Sequence, residues 1–167
     1  MASSRPIGLL ALLAALVLVI DQISKYAVQH FTEIGSLRVV IPGLLNIVHT
    51  HNPGVAFGIF SDSQMPWRAP LLIVFSFSVM CFILWLLATG RAGGRFGEYG
   101  LALILGGAAG NLFDRVARQS VTDFIDFHFR NYHWYTFNVA DSAIVVGAAL
   151  VVLELLRDWR HPTHERA

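Results

Sequence analysis

The sequence predicts a mainly helical membrane protein: four transmembrane helices with a small extracytoplasmic β-sheet region, forming one integral membrane domain over residues 1–167. Three observations predict it. The chain is 55% hydrophobic and 14% charged, whereas soluble domains carry about a quarter charged residues. Residues 69–90 contain no charge, and about 20 apolar residues span the hydrocarbon of a bilayer as a helix. Three further uncharged stretches each abut an aspartate and reach spanning length when extended past it by one or two turns.

The first stretch runs from Ile7 to Ile20 and stops at Asp21, giving a span of about 7–28. Arg5 followed by a 14-residue apolar run resembles a cleavable signal peptide. No Ala-x-Ala-type site closes the run, so a retained anchor is expected. The second span is 69–90. The third, about 98–117, is uncharged from Tyr99 to Phe113 and then meets Asp114-Arg115. The fourth, about 137–156, is uncharged from Ser142 to Leu153, with Asp141 just before that run.

Lys and Arg in short flanks set orientation. With both termini cytoplasmic, Arg5, Arg91, Arg95, Arg157, Arg160 and Arg166 lie inside, concentrated in three short flanks. Lys25, Arg38, Arg68, Arg115, Arg118 and Arg130 lie outside, spread over longer connections. Asp21, Asp114 and Asp141 then all lie toward the extracytoplasmic ends.

Between the first two spans, residues 35–62 hold the β-like runs 38–41, 45–48 and 55–60, punctuated by Pro42-Gly43 and Asn52-Pro53-Gly54. They predict a small sheet on the membrane surface. Residues 118–136 are dense in aromatics, as an interfacial belt is. The Gly-rich stretch 89–98 has the length of a helix–helix connection. Gly106 to Gly110 form a small-residue pattern suited to close helix packing. The formal net charge of +1 lacks the basic excess of a nucleic-acid binder. A single cysteine, Cys81, excludes an internal disulfide framework and a Cys-rich zinc site.

An ionisable residue within a span costs about 2.5–3.5 kcal/mol on insertion scales, and persists when paired, hydrated or functional. Asp21 has Lys25 at i+4, and Asp114 has Arg115 beside it and Arg118 at i+4, so both have local partners. Asp123 and Asp141 have no cation within four residues. Two carboxylates brought together share one proton, so one acts as base while the other acts as acid. Two alternatives stand beside this: Asp141 as the N-cap of the last span, and Asp126, at i+3, as the partner of Asp123. His49 and His51 share one face of a strand, yet no third ligand accompanies them. They read as strand histidines.

Five motifs occur in order along the chain: Asp21-Gln22-Ile23-Ser24-Lys25, Asn52-Pro53-Gly54-Val55-Ala56-Phe57-Gly58, Gly110-Asn111-Leu112-Phe113-Asp114-Arg115, Val121-Thr122-Asp123-Phe124 and Phe137-Asn138-Val139-Ala140-Asp141-Ser142-Ala143. Together they closely resemble the lipoprotein signal peptidase (signal peptidase II) family over nearly the whole chain. The resemblance implies an aspartic endopeptidase of the bacterial cytoplasmic membrane. Its substrates would be prolipoproteins whose lipobox cysteine carries diacylglycerol, cut on the N-terminal side of that cysteine. By motif match the catalytic pair is Asp123 and Asp141, with Asp126 outside it. The family's other polar positions fall on Asp21, Lys25, Asn52, Gly54, Asn111, Asp114, Arg115, Asn138 and Ala140. Of these, Asn52, Asn111, Arg115 and Asn138 would support the site or contact substrate or inhibitor backbone. Val55 is bulkier than the family's usual residue. The resemblance also implies sensitivity to globomycin, with no metal and no cofactor. A monomer in contact with membrane lipid is expected, with residues 52–60 as part of a lid over the substrate. Three rival readings are a small proton or solute transporter, which would place carboxylates similarly, a structural bundle subunit, and a metal-dependent protease, which would lose activity with chelator.

Overall fold

The computed structural model describes residues 7–54, 67–129 and 132–160. The expected strand 55–60, most of the expected lid and Val55 lie outside the described residues. Four long helices dominate: α1 (Ile7–Phe31), α2 (Arg68–Ala88), α3 (Arg95–Arg118) and α4 (Val139–Arg160). The strands are β1 (Leu37–Ile41), β2 (Leu45–Asn52), β3 (Val121–Phe129) and β4 (Tyr132–His133).

The helices are apolar on the wrong side for a soluble protein. In α1, Leu10, Ala14, Val17, Asp21 and Lys25 form the buried stripe, while Leu9, Leu12, Leu16, Val19 and Ile20 are exposed. In α2 only Leu72 and Ile83 are buried; Val74, Phe75, Phe77, Phe82 and Trp85 face outward, and Cys81 is exposed. Exposed apolar surface of this extent marks contact with lipid. Among the described residues, three helices are long and apolar enough to cross a membrane: α1, α2 and α4.

The sequence-derived third span, 98–117, falls within α3, which is not among those three. The reason is its position. α3 packs against α1, α2 and α4, so its surface is specified by neighbouring helices. Its buried residues include Glu98, Asn111, Asp114 and five glycines. A Cβ at Gly106 would stand 2.5 Å from Ala14 O and 2.8 Å from Val17 Cβ. Gly100 and Gly147 face each other across the α3–α4 contact: a Cβ on Gly100 would stand 2.6 Å from Gly147 O, and one on Gly147 2.5 Å from Gly100 O. The backbones therefore touch, as small residues allow. Gly106→Val would wedge α1 from α3. Overpacking of this kind costs roughly 1–3 kcal/mol, and a lowered Tm in detergent is the expected readout.

Three contacts fix the topology. Ile7 and Leu10 of α1 meet Leu84, Leu87 and Ala88 of α2 around a small cavity. The Glu154 carboxylate of α4 accepts the backbone N–H of Phe96 at 2.8 Å, placing negative charge at the α3 N-terminus. Asp21 of α1 reaches Ala140 of α4. The helices thus run up and down, with both sheet-forming connections at one end.

The sheet order is β1-β2-β3-β4, antiparallel throughout. Its composition differs from expectation. The stretch 118–136, read as an aromatic belt, contributes the nine-residue strand β3, which pairs with β2 through Asn46↔Asp126 and Thr50↔Asp123. Six of the first eight residues of β3 are buried. The bundle and sheet meet over a polar core. Its largest fully buried side chains are Lys25, Asn138, Thr122, Asp21, Asp114 and Asp123.

Candidate active site

Asn138 organises the site. It immediately precedes α4, and its side-chain Oδ1 accepts the backbone N–H of Asp141 at 2.9 Å. In return the Asp141 carboxylate accepts the N–H of Asn138 at 3.3 Å. This is a capping box, with Asp141 at its third helical position. The expected N-cap role of Asp141 thus belongs to Asn138. Asn138 Nδ2 also donates to Asp123 Oδ1 at 2.7 Å. One asparagine therefore holds both carboxylates.

Each carboxylate has a second amide. Asn52 Nδ2 donates to Asp123 Oδ2 at 3.0 Å, and Asn52 Oδ1 accepts the N–H of Gly54 at 2.9 Å. Asn111 Nδ2 donates to Asp141 Oδ1 at 2.7 Å. Arg115 donates to Asn111 O at 3.3 Å and to Gly54 O at 3.1 Å, tying α3 to the end of β2. Asp123 and Asp141 open onto one cavity of about 510 Å3. Tyr135, Phe137, Val145 and Val146 supply much of its apolar wall.

Beneath lies an ion cluster. Lys25 Nζ reaches Asp21 Oδ2 at 2.8 Å, Asp114 Oδ2 at 2.8 Å and Asn111 Oδ1 at 2.9 Å. An ammonium has three donors, so all are used. Because Asn111 Oδ1 faces Lys25, its Nδ2 is turned toward Asp141. Arg118 adds a second cation on Asp114 at 2.7 Å. Asp21 Oδ1 accepts the N–H of Ala140 at 2.9 Å, satisfying one of the free donors at the start of α4. All nine supporting residues marked in the sequence enter this network. Gln22, quoted in a motif but given no role, also joins it: its Nε2 bonds Asp21, Asp114 and the carbonyl of Gly110.

Asp123 and Asp126 part company in β3. Side chains three residues apart on a strand point to opposite faces. Asp126 accepts from Asn46 Nδ2 at 2.8 Å and lies 2.9 Å from His133 Nδ1. Burial opposes its charge, yet the bonds from His133 and Asn46 prevail and hold its carboxyl below the usual range. Asp123 goes the other way. Burial first, then the nearby Asp141 carboxylate, push it up to about 7, despite the Asn52 and Asn138 bonds. A carboxyl that titrates near neutrality can both hold and yield a proton. His49 is buried, with Nδ1 3.0 Å from Thr32 O, and His51 is exposed.

A family model described as Signal peptidase (SPase) II matches residues 13–157. A lipoprotein signal peptidase from Solibacter usitatus (strain Ellin6076) is 48% identical over 147 residues, covering 88% of this chain and 90% of the relative. One from Coxiella burnetii (strain Dugway 5J108-111) is 43% identical over 145 residues, covering 86% and 87%. A bacterial membrane enzyme solved by the in meso method at 2.3 Å resolution superposes with a TM-score of 0.86 at 28% identity, covering 100% of this chain and 99% of that one. The matched region takes in every residue of the network around Asn138, and the chain belongs to the signal peptidase II family.

Proposed function

We propose that Asp123 and Asp141 are the catalytic pair of this enzyme, cutting diacylglyceryl-modified prolipoproteins on the N-terminal side of the lipidated cysteine. As a signal peptidase II, the enzyme is an aspartic-type endopeptidase that removes signal peptides from prolipoproteins. The observation carrying the residue assignment is the single cavity onto which the buried Asp123 and the half-buried Asp141 carboxylates open, held by one asparagine.

The chemistry follows from one shared proton. The ionised carboxylate takes a proton from water as its oxygen attacks the scissile carbonyl. The protonated carboxyl donates to the carbonyl oxygen, giving a tetrahedral diol. Proton return to the cysteine nitrogen then breaks the C–N bond, leaving a free amine and a new carboxylate. Asn52, Asn111 and Asn138 keep the carboxyl groups oriented throughout. In this reading α3 is a fourth span, the termini are cytoplasmic, and the sheet and site lie at the extracytoplasmic face. Up-and-down packing and the concentration of Arg at the opposite helix ends support that orientation. The enzyme acts as a single 1–167 membrane domain, as a monomer, and binds globomycin-type inhibitors in the same cavity.

The pH profile tests the shared proton. The pair requires one proton, and Asp123 titrates near 7. Cleavage measured as kcat/KM should therefore fall on the alkaline side with an apparent midpoint near 7, a value belonging to the pair. It should also fall in acid as the second carboxylate becomes protonated. A rate still rising through pH 9 would exclude a proton-sharing pair.

A further inference from the structure

The face of β3 opposite Asp123 carries a cluster the proposed reaction does not use. Asp126 and His128 are two apart on the strand and share a face, and β4 pairs His133 directly opposite His128. Each of the three offers one ligand atom, and these atoms lie within 4.8 Å of one another. We propose that Asp126, His128 and His133 bind one zinc-class divalent ion, which clamps β4 to β3.

The donor set argues for the metal class. Two imidazoles and one carboxylate suit zinc and its first-row neighbours, whereas magnesium and calcium favour all-oxygen sites. Zinc–ligand bonds of about 2.0–2.2 Å set tetrahedral ligand separations near 3.3 Å. The distances from one carboxylate oxygen bracket that value: Asp126 Oδ2 lies 3.0 Å from His133 Nδ1 and 4.0 Å from His128 Nδ1. The two rings are stacked at 4.7 Å and 12°. Ligation by both rings requires the half-exposed His133 to turn out of this stacking, and water would fill the fourth tetrahedral position.

Two further features fit. Asn46, paired with Asp126 across the sheet, donates to Asp126 Oδ2 at 2.8 Å. Such outer-shell bonds orient ligating carboxylates. Asp126 and His133 also line a cavity of about 630 Å3, which gives an ion an entry path. The proton between His133 and Asp126 leaves as the ion enters. The clamp has a consequence for the active site: Trp134, Tyr135 and Thr136, which follow β4, line the cavity of Asp123 and Asp141. The ion steadies that wall and takes no part in peptide hydrolysis.

The test uses tag-free full-length protein in detergent, stripped with chelator and titrated with Zn2+ by calorimetry, with Co2+ absorption as a second probe. One equivalent should bind and raise Tm. His128→Ala, His133→Ala and Asn46→Leu should each weaken binding by about tenfold or more, whereas His49→Ala/His51→Ala should not. Prolipoprotein cleavage should survive chelation. The proposal is overturned if Zn2+ shows no saturable binding at millimolar concentration. It is also overturned if affinity is unchanged in both His128→Ala and His133→Ala, or is lost only when His161 and His164 are replaced. Near-neutral Tm values for metal-free His133→Ala, whose side chain is half exposed, keep a folding defect distinguishable from lost ligation.

Discussion

Asp123→Asn and Asp141→Asn are each expected to abolish cleavage of a diacylglyceryl-modified prolipoprotein by a protein that still folds. General acid–base catalysis by a positioned group contributes about 10²–10⁴-fold, and removing either carboxylate leaves the proton no partner to be shared with. The loss should appear in kcat, with KM little changed, because neither side chain is needed to hold the substrate's lipid. Chelator should not mimic the substitutions. Proton linkage supplies a folding control. In the folded chain Asp123 is raised from 3.8 to about 7, a shift equivalent to roughly 4 kcal/mol. Between those values the native state holds a proton that the unfolded chain has released, so its stability falls as pH rises. Wild type should therefore lose Tm relative to Asp123→Asn between about pH 4 and pH 7, and the two should run parallel outside that window. Cleavage surviving Asp123→Asn would move the chemistry to another carboxylate. Parallel Tm curves across the whole range would mean that Asp123 is not held as the structure indicates.

The lipid-facing helices were legible because hydrocarbon imposes length and composition on each helix separately. Helices α1, α2 and α4 lie over the stretches 7–28, 69–90 and 137–156. For α3 the uncharged run 99–113 marked the helix, but not its interior place, which depends on glycines meeting particular backbones of α1 and α4. β3 was not legible as a strand. Its sequence Val121-Thr122-Asp123-Phe124-Ile125-Asp126 does not alternate, because one face meets the helices and the other is covered by Asn46 and the histidines. The partners of a strand lie far away in sequence: Asp123 pairs with Thr50. The same gap hid the opposed faces of Asp123 and Asp126, and the approach of His133 to His128. The motifs marked polar residues that the fold gathers into one network. The sequence could not say which atoms meet, such as Asn138 capping α4 while Asp141 answers it.

Replacing Lys25 with Met should have the largest effect on stability, and its consequences extend to the reaction. Lys25 is 1% exposed and lies between Asp21 and Asp114, both fully buried. Removing one member of a buried ion pair costs about 3–5 kcal/mol, because the abandoned charge remains in low dielectric. For a chain of this size that corresponds to roughly a 10 °C fall in Tm. Arg is a poor substitute: its planar fork cannot reproduce three compact contacts around one nitrogen. Charge and orientation are separable here. In Asp21→Asn/Lys25→Met the remaining Asp114 still has Arg118 at 2.7 Å, so much of the lost Tm should return. Turnover should not return with it. Asn111 Oδ1 has lost the ammonium that fixed it, so Nδ2 is no longer directed at Asp141. Misplacement of a reacting group by about 1 Å can cost 10²-fold in rate. A double variant that regains Tm but stays slow in kcat identifies Lys25 as a positioning residue acting through Asn111. If Tm and kcat recover together, its role is charge neutralisation alone.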